Sequence, residues 1–189
     1  MVKLLGLMEV MILNNISIHD IEKYLKQLDS TINLYVIDKI IFKESVKLNC
    51  FYCGNYNKKW TCPPRIPDFN YAKIISEYYN KIVIEYTANI DDDTFENVRY
   101  KSTNHVHSIL LKLEKYLWDN DYPMAVSFIG GGCKLCKNGC SENNCRNKSV
   151  SRIPIEATGI NVIETLKEID IHMTFIITSN FKRYGMLLW

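Results

Sequence analysis

Hydrophobic residues recur at helical spacing in four segments of the chain. In SIHDIEKYLKQL they fall on one helical face behind Ser17, a residue type that caps helix N-termini. From Thr94 to Asp119 the same spacing continues over the longest stretch, and Asp93 precedes it as a candidate cap. Shorter helices are predicted in YAKIISEYYN and, after Asn161, in NVIETLKEI.

Continuous apolar runs between these helices predict strands. They are INLYVIDKIIF, KIVIEY, PMAVSFI, MTFIIT and YGMLLW. A strand, the long helix and a further strand in succession predict a βαβ unit, and the last two runs predict a hairpin. The expected fold class is α/β (α+β), a mixed β-sheet covered by helices. Two irregular stretches, residues 50–65 and 130–153, are predicted to be loops on this scaffold.

The composition narrows the class of protein. A chain of 189 residues that is 47% apolar can build a core without crosslinks, so we expect a single domain over residues 1–189. A net charge of +2 without a long basic run argues against nucleic acid as a partner. The N-terminal MVKLLGLMEVMIL contains Glu9, lacks a cleavage site, and is shorter than the roughly 20 residues of a membrane span. We therefore expect a cytoplasmic protein with no membrane partner.

The seven cysteines are the main chemical feature of the sequence. Disulfides are rare in cytoplasmic proteins, and an odd number of cysteines leaves one unpaired in any case. Metal ligation or redox chemistry is the better explanation. Both irregular stretches are therefore predicted to be cysteine-rich, metal-binding loops.

Four of these cysteines form a quartet with the spacing C-x2-C-x3-C-x4-C: Cys133, Cys136, Cys140 and Cys145. The short spacers turn the chain back towards a common centre. The spacing is close to, though looser than, the run that holds a [4Fe–4S] cluster in bacterial ferredoxins. Three glycines precede the quartet, where backbone N–H groups could approach cluster sulfurs or simply form a turn. An iron–sulfur cluster is the expected cofactor.

Zinc is the alternative cofactor, because four thiolates also suit a tetrahedral zinc site. A zinc ribbon would combine two C-x2-C pairs, Cys50 with Cys53 and Cys133 with Cys136. That arrangement would leave the other three cysteines without a role. A quartet that is complete in itself favours a local iron–sulfur cluster.

The segment CFYCGNYNKKWTCPP supplies three further candidate ligands, Cys50, Cys53 and Cys62. Either a fourth ligand comes from elsewhere, or one metal position stays open for water, sulfide or substrate. Each histidine fits a surface or core-edge position better than a ligand position. The histidines are His19, His105, His107 and His172.

Three motifs together resemble a known family. They are CFYCGNYNKKWTCPP, the quartet behind GGG, and RIPIEATGINV at residues 152–162. In this order they resemble the bacterial and archaeal proteins of domain of unknown function 2284, over most of the chain from Cys50 onward. The resemblance implies metal binding through these cysteines, with iron–sulfur as the expected form. It implies no particular reaction.

Other polar residues have simpler explanations. Glu156 could be an acid or base near the metal, but a carboxylate in the first turn of a helix is the preferred interpretation. Gly159 is expected to end that turn. The basic and aromatic residues of positions 52–65 are interpreted as packing around a metal loop rather than as a nucleic acid or phosphate site. The aspartates at positions 91–93 are interpreted as a solvated turn and cap.

Three functions follow from these observations. The first is an iron–sulfur protein, with one or two [4Fe–4S] clusters, for electron transfer or redox chemistry. The second is a zinc-stabilised structural or interaction module. The third is a sulfur-transfer enzyme that uses an open iron at the three-cysteine site. The expected partners are a redox protein or a small-molecule substrate, and the sequence identifies no catalytic residue.

Overall fold

The structure is a computed structural model that describes residues 16–90, 93–173 and 179–189. Within these residues it contains five α-helices, one 3-10 helix and four strands. In chain order the elements are α1 Ile18–Leu28, β1 Asn33–Val36, α2 Glu44–Phe51, α3 Tyr71–Ser76, β2 Lys81–Asn89, α4 Phe95–Trp118, β3 Val126–Ile129, the 3-10 helix Ile155–Thr158, α5 Val162–Lys167 and β4 Asn180–Leu188.

Helix starts follow the capping residues of the sequence. Ser17 and Asp20 form a reciprocal capping box at the start of α1, and the predicted helix is confirmed. Asn161 caps α5 by accepting a hydrogen bond from the backbone N–H of Glu164, as predicted. The cap of α4 is Thr94 rather than Asp93, whose carboxylate instead accepts from the N–H of Thr94.

The four strands form one sheet in the order β1-β2-β4-β3, and every neighbouring pair is antiparallel. The α+β class is therefore confirmed, although the paired strands do not form the mixed sheet that was expected. Strands β2 and β3 both run antiparallel to β4, so they point in the same direction with β4 between them. The predicted βαβ unit is thus split by the C-terminal strand, which pairs with β2 along all nine of its residues.

Two elements differ from the sequence prediction. The first strand covers only Asn33–Val36 of the longer run INLYVIDKIIF. Helix α2, Glu44–Phe51, was not predicted, because none of its residues is buried and its sequence has no apolar face. The run MTFIIT falls almost entirely on residues 174–178, outside the described residues, so the predicted hairpin remains a prediction.

Both faces of the sheet are covered. Helices α1 and α4 pack on one face, and α3, α5 and the 3-10 helix pack on the other. Gly185 brings α4 close to the centre of the sheet, because a Cβ at this position would lie 2.7 Å from Leu110 Cδ1. Within the part of the chain that the structure describes, no helix has both the length and the apolar character needed to cross a membrane.

Residues 130–153 form a loop that leaves and returns at the end of β3. The backbone N–H of Ile129 donates to the carbonyl of Ile153 at 3.1 Å, which closes the base of the loop. Helix α4 holds the returning segment, since Glu114 pairs with Arg152 and also accepts from the backbone N–H of Ser127. The quartet is therefore carried on a loop anchored to the sheet and to the longest helix.

Candidate metal centres

The four quartet cysteines line a single small cavity of about 30 Å³, here called the quartet cavity. Gly139 turns the chain between the second and third cysteines with φ of +78°, a conformation that glycine adopts without strain. Its backbone N–H donates to the carbonyl of Cys136 at 3.2 Å. The structure therefore brings all four predicted ligands to one place: Cys133, Cys136, Cys140 and Cys145.

Side chains of the same loop hydrogen-bond to the quartet sulfurs. The amide Nδ2 of Asn147 donates to Cys136 Sγ at 3.1 Å. The Cys145 thiol donates to Ser151 Oγ at 3.6 Å. An N–H donor such as that of Asn147 stabilises negative charge on a thiolate sulfur and influences the reduction potential of a cluster. Asn147 was not identified from the sequence, although it lies two residues after the last cysteine of the quartet.

The first cysteine-rich segment covers the quartet cavity. Lys59 Nζ donates to the carbonyl of Cys133, and Trp60 Nε1 donates to the carbonyl of Ser141 at 2.7 Å. The guanidinium of Arg65 stacks over the Trp60 ring at 4.7 Å. These contacts agree with the interpretation of the basic and aromatic residues as packing around a metal loop.

Burial raises the pKa of the Cys133 thiol. The backbone N–H of Leu135 and the charge of Lys59 act in the opposite direction, while Cys140 and Cys145 raise this pKa further. The mutual influence of these thiols follows from their shared cavity. A metal ion bound to all of them would remove the repulsion between thiolates.

The other three cysteines line a second cavity of about 510 Å³, here called the three-cysteine cavity. Cys50 lies in the last turn of α2, so the first candidate ligand of the predicted loop is in fact helical. Cys62 is only 7% exposed, and burial raises its pKa to about 11 despite the opposing effects of Lys59 and Thr61. The pKa of Cys50 is raised by burial, by Glu156 and by Cys53.

The two cavities adjoin at the glycines before the quartet. Gly132 lines the three-cysteine cavity, and the next residue, Cys133, lines the quartet cavity. A Cβ on Gly132 would lie 2.9 Å from Asn55 Nδ2, which itself donates to Cys53 Sγ at 3.7 Å. The absence of a side chain at Gly132 thus lets the two cysteine segments approach each other.

The four histidines, which all lie in described segments, line neither cysteine cavity. His105 Nε2 is 2.7 Å from Asp29 Oδ2, and His107 Nε2 is 2.8 Å from the carbonyl of Val150. Burial lowers the pKa of His107, which favours a neutral ring. His19 and His172 are exposed. The positions of His19, His105 and His172 match the surface and core-edge interpretation of the sequence, whereas His107 is fully buried.

Glu156 lies on the wall of the three-cysteine cavity, in the first turn of the 3-10 helix. Burial raises the pKa of its carboxyl group. Its own backbone N–H, the backbone N–H of Gly131 and the charge of Arg183 act in the opposite direction and lower this pKa. Gly159 ends this helix with φ of +90°, as predicted. Asp93 forms part of the α4 cap and pairs with Lys101, whereas Asp91 and Asp92 lie outside the described residues.

All seven cysteines are free thiols. Across residues 16–90, 93–173 and 179–189, no three His, Cys, Asp or Glu side chains are grouped closely enough to hold a metal ion as they stand. The chemistry of the donor sets nevertheless fits a thiophilic metal, because both cavities collect soft sulfur ligands and amide N–H donors. Whether these seven residues are ligands stays a prediction.

An α+β scaffold with two cysteine-lined cavities defines a thiol-rich class of protein. A comparison with protein-family models agrees: the model described as predicted metal-binding protein (DUF2284) matches residues 35–189. The chain belongs to this family, and the match includes all seven cysteines. Comparisons with curated proteins and with solved structures each gave no significant match.

Proposed function

We propose that this protein binds two [4Fe–4S] clusters and uses them for electron transfer or redox chemistry on a small molecule. The cysteine quartet would hold one cluster. The remaining cysteines would hold a second cluster with one open iron position. The observation that carries the proposal is that four thiols with ferredoxin-like spacing line one cavity, with an amide N–H on Cys136 Sγ.

Two observations favour clusters over a zinc ribbon. A zinc ribbon would combine the two C-x2-C pairs at one metal ion. In this structure, however, the two pairs line different cavities. Among the described residues, no histidine lies on the wall of the three-cysteine cavity to complete a closed tetrahedral site of cysteine and histidine ligands. A cluster with an open iron tolerates three protein ligands, whereas structural zinc sites have four.

The sizes of the cavities suggest different roles for the two centres. The quartet cavity is small and covered by Lys59 and Trp60, which suits a centre that only exchanges electrons. The three-cysteine cavity has room for a small molecule beside its sulfurs. A bound cluster would supply one-electron chemistry, and Asn55 would stabilise charge on Cys53 by N–H donation. A redox protein as electron donor and a cytoplasmic location complete the proposal.

The proposal predicts a coloured protein. After purification of the full chain without oxygen, we expect brown colour and broad visible absorbance that decreases on addition of dithionite, because thiolate-to-iron charge transfer weakens on reduction. The same protein after treatment with a chelator is the control and should be colourless. A colourless preparation that contains zinc would contradict the proposal and support the zinc-stabilised module.

A further inference from the structure

Two arginines from different elements line the three-cysteine cavity. Arg99 lies in α4, and Arg183 lies in β4. Among the described residues, neither arginine takes part in an ion pair. A third cation on the wall, Lys182, is already paired with Glu85 at 3.1 Å. The two guanidinium groups are therefore the cavity's available positive charges.

The carboxylate of Glu156 is the only acidic side chain on this wall within the described residues. It balances at most one of the two guanidinium charges. Burial and the repulsion from Arg99 lower the pKa of Arg183 to about 10. An excess of positive charge at a partly buried site is stabilised by a bound anion.

Arg183 is held in place but is not fully hydrogen-bonded. Its Nη1 donates to the carbonyl of Gly130 at 3.0 Å, and its guanidinium packs 4.6 Å above the Phe181 ring. Its Nε is a buried donor with no hydrogen-bond partner within the described part of the chain. The guanidinium lines the cavity and has N–H donors besides the one given to Gly130, so it can donate to a bound anion.

The glycines on the same wall let this guanidinium approach the backbone closely. A Cβ at Gly131 would lie 2.9 Å from Arg183 Nη1, and φ at this residue is +77°. A side chain here would be strained and would press on the arginine. The wall therefore places an arginine fork directly against glycine backbone, and such a fork accommodates the oxygens of a carboxylate or phosphate.

From this geometry we propose that the three-cysteine cavity binds a small organic anion, whose carboxylate or phosphate group lies between Arg99 and Arg183. The anion would then lie beside Cys50, Cys53 and Cys62. Its role as the molecule that is oxidised or reduced rests on the proposed function. The binding of the anion does not rest on the proposed function, because it depends only on the cavity, the two arginines and the glycine wall.

Calorimetric titration of the anaerobically purified full chain with inorganic phosphate, and separately with succinate, tests this site. We expect saturable binding of at least one probe, and the stronger of the two identifies the class of anionic group. Arg99→Gln should weaken that binding by about tenfold or more, because a hydrogen bond to a charged group contributes about 1.5–3 kcal/mol. Arg99 is exposed, so this change should leave the fold intact.

Lys112→Gln is the matched control, since Lys112 is an exposed cation on the same helix but is not part of the cavity wall. It should leave binding unchanged. The inference is overturned if neither probe binds, or if Arg99→Gln and Lys112→Gln bind equally well. Metal and sulfide content, measured for each variant, separates the two proposals. Arginine-dependent binding without iron would contradict only the iron–sulfur function, and iron without binding would contradict only the anion site.

Discussion

Replacing Cys136 with serine is expected to remove the cluster of the quartet and with it roughly half of the bound iron and sulfide. Serine has nearly the same shape as cysteine, but its hydroxyl is a far harder ligand than a thiolate and is not deprotonated at neutral pH. Cys136 is the most informative member of the quartet because its sulfur also accepts the Asn147 amide N–H. The measurement is iron and acid-labile sulfide per chain after anaerobic purification.

Ser141→Ala is the matched control for this change. Ser141 lies in the same loop, and only its backbone carbonyl is used, as the acceptor for Trp60. Iron and sulfide should therefore remain at the level of the unchanged protein. If Cys136→Ser retains its full iron and sulfide content while far-UV circular dichroism shows a folded chain, the quartet is not the site of a cluster.

Replacing Cys62 with serine is expected to remove the other half of the iron while the quartet cluster persists. The two sets of cysteines line separate cavities, and Cys62 is the most buried of the three in its set. Loss of one of only three protein ligands leaves a cluster with too few anchors to be retained. Any redox turnover on a small molecule should stop, since the proposed open iron position would belong to this centre.

Ser45→Ala tests whether the effect of Cys62→Ser is specific, because Ser45 lies on the wall of the same cavity and is exposed. It should keep both clusters. The electron paramagnetic resonance spectrum of the reduced protein distinguishes the two centres. Cys62→Ser should retain the signal of the quartet cluster, and Cys136→Ser should retain the signal of the cluster in the three-cysteine cavity. Loss of all iron in both single variants would instead indicate one shared site.

Local features of the fold were predictable from the sequence. The capping box of Ser17 and the Asn161 cap are encoded within a few residues, so α1 and α5 begin where the sequence places them. The apolar residues at helical spacing in α4 likewise predicted the longest helix. Helix α2 was missed because it depends on contacts with the 3-10 helix rather than on an apolar face of its own.

The arrangement of the sheet was not predictable from local pattern. A strand, a helix and a strand in succession favour two adjacent parallel strands. In this protein β4 lies between them and pairs with both, and the residues of β4 lie more than fifty positions from those of β3. No local pattern encodes the choice of such a distant partner.

The same distinction applies to the candidate site. The quartet could be found because its four cysteines are close in sequence and share one loop. Arg99 and Arg183 could not, because they reach the three-cysteine cavity from a helix and from the C-terminal strand. Pairing of Ile129 with Gly185 sets the register that brings Arg183 to Gly130, and this register is known only from the folded chain.

We propose that thiolates of the two adjoining cavities hold iron–sulfur clusters. The most direct test of this proposal is the amount of iron, zinc and acid-labile sulfide per chain in the full protein, purified without oxygen. We expect iron and sulfide in equal amounts, approaching about eight of each per chain, with negligible zinc. About one or two zinc ions per chain, with neither iron nor sulfide, would contradict it.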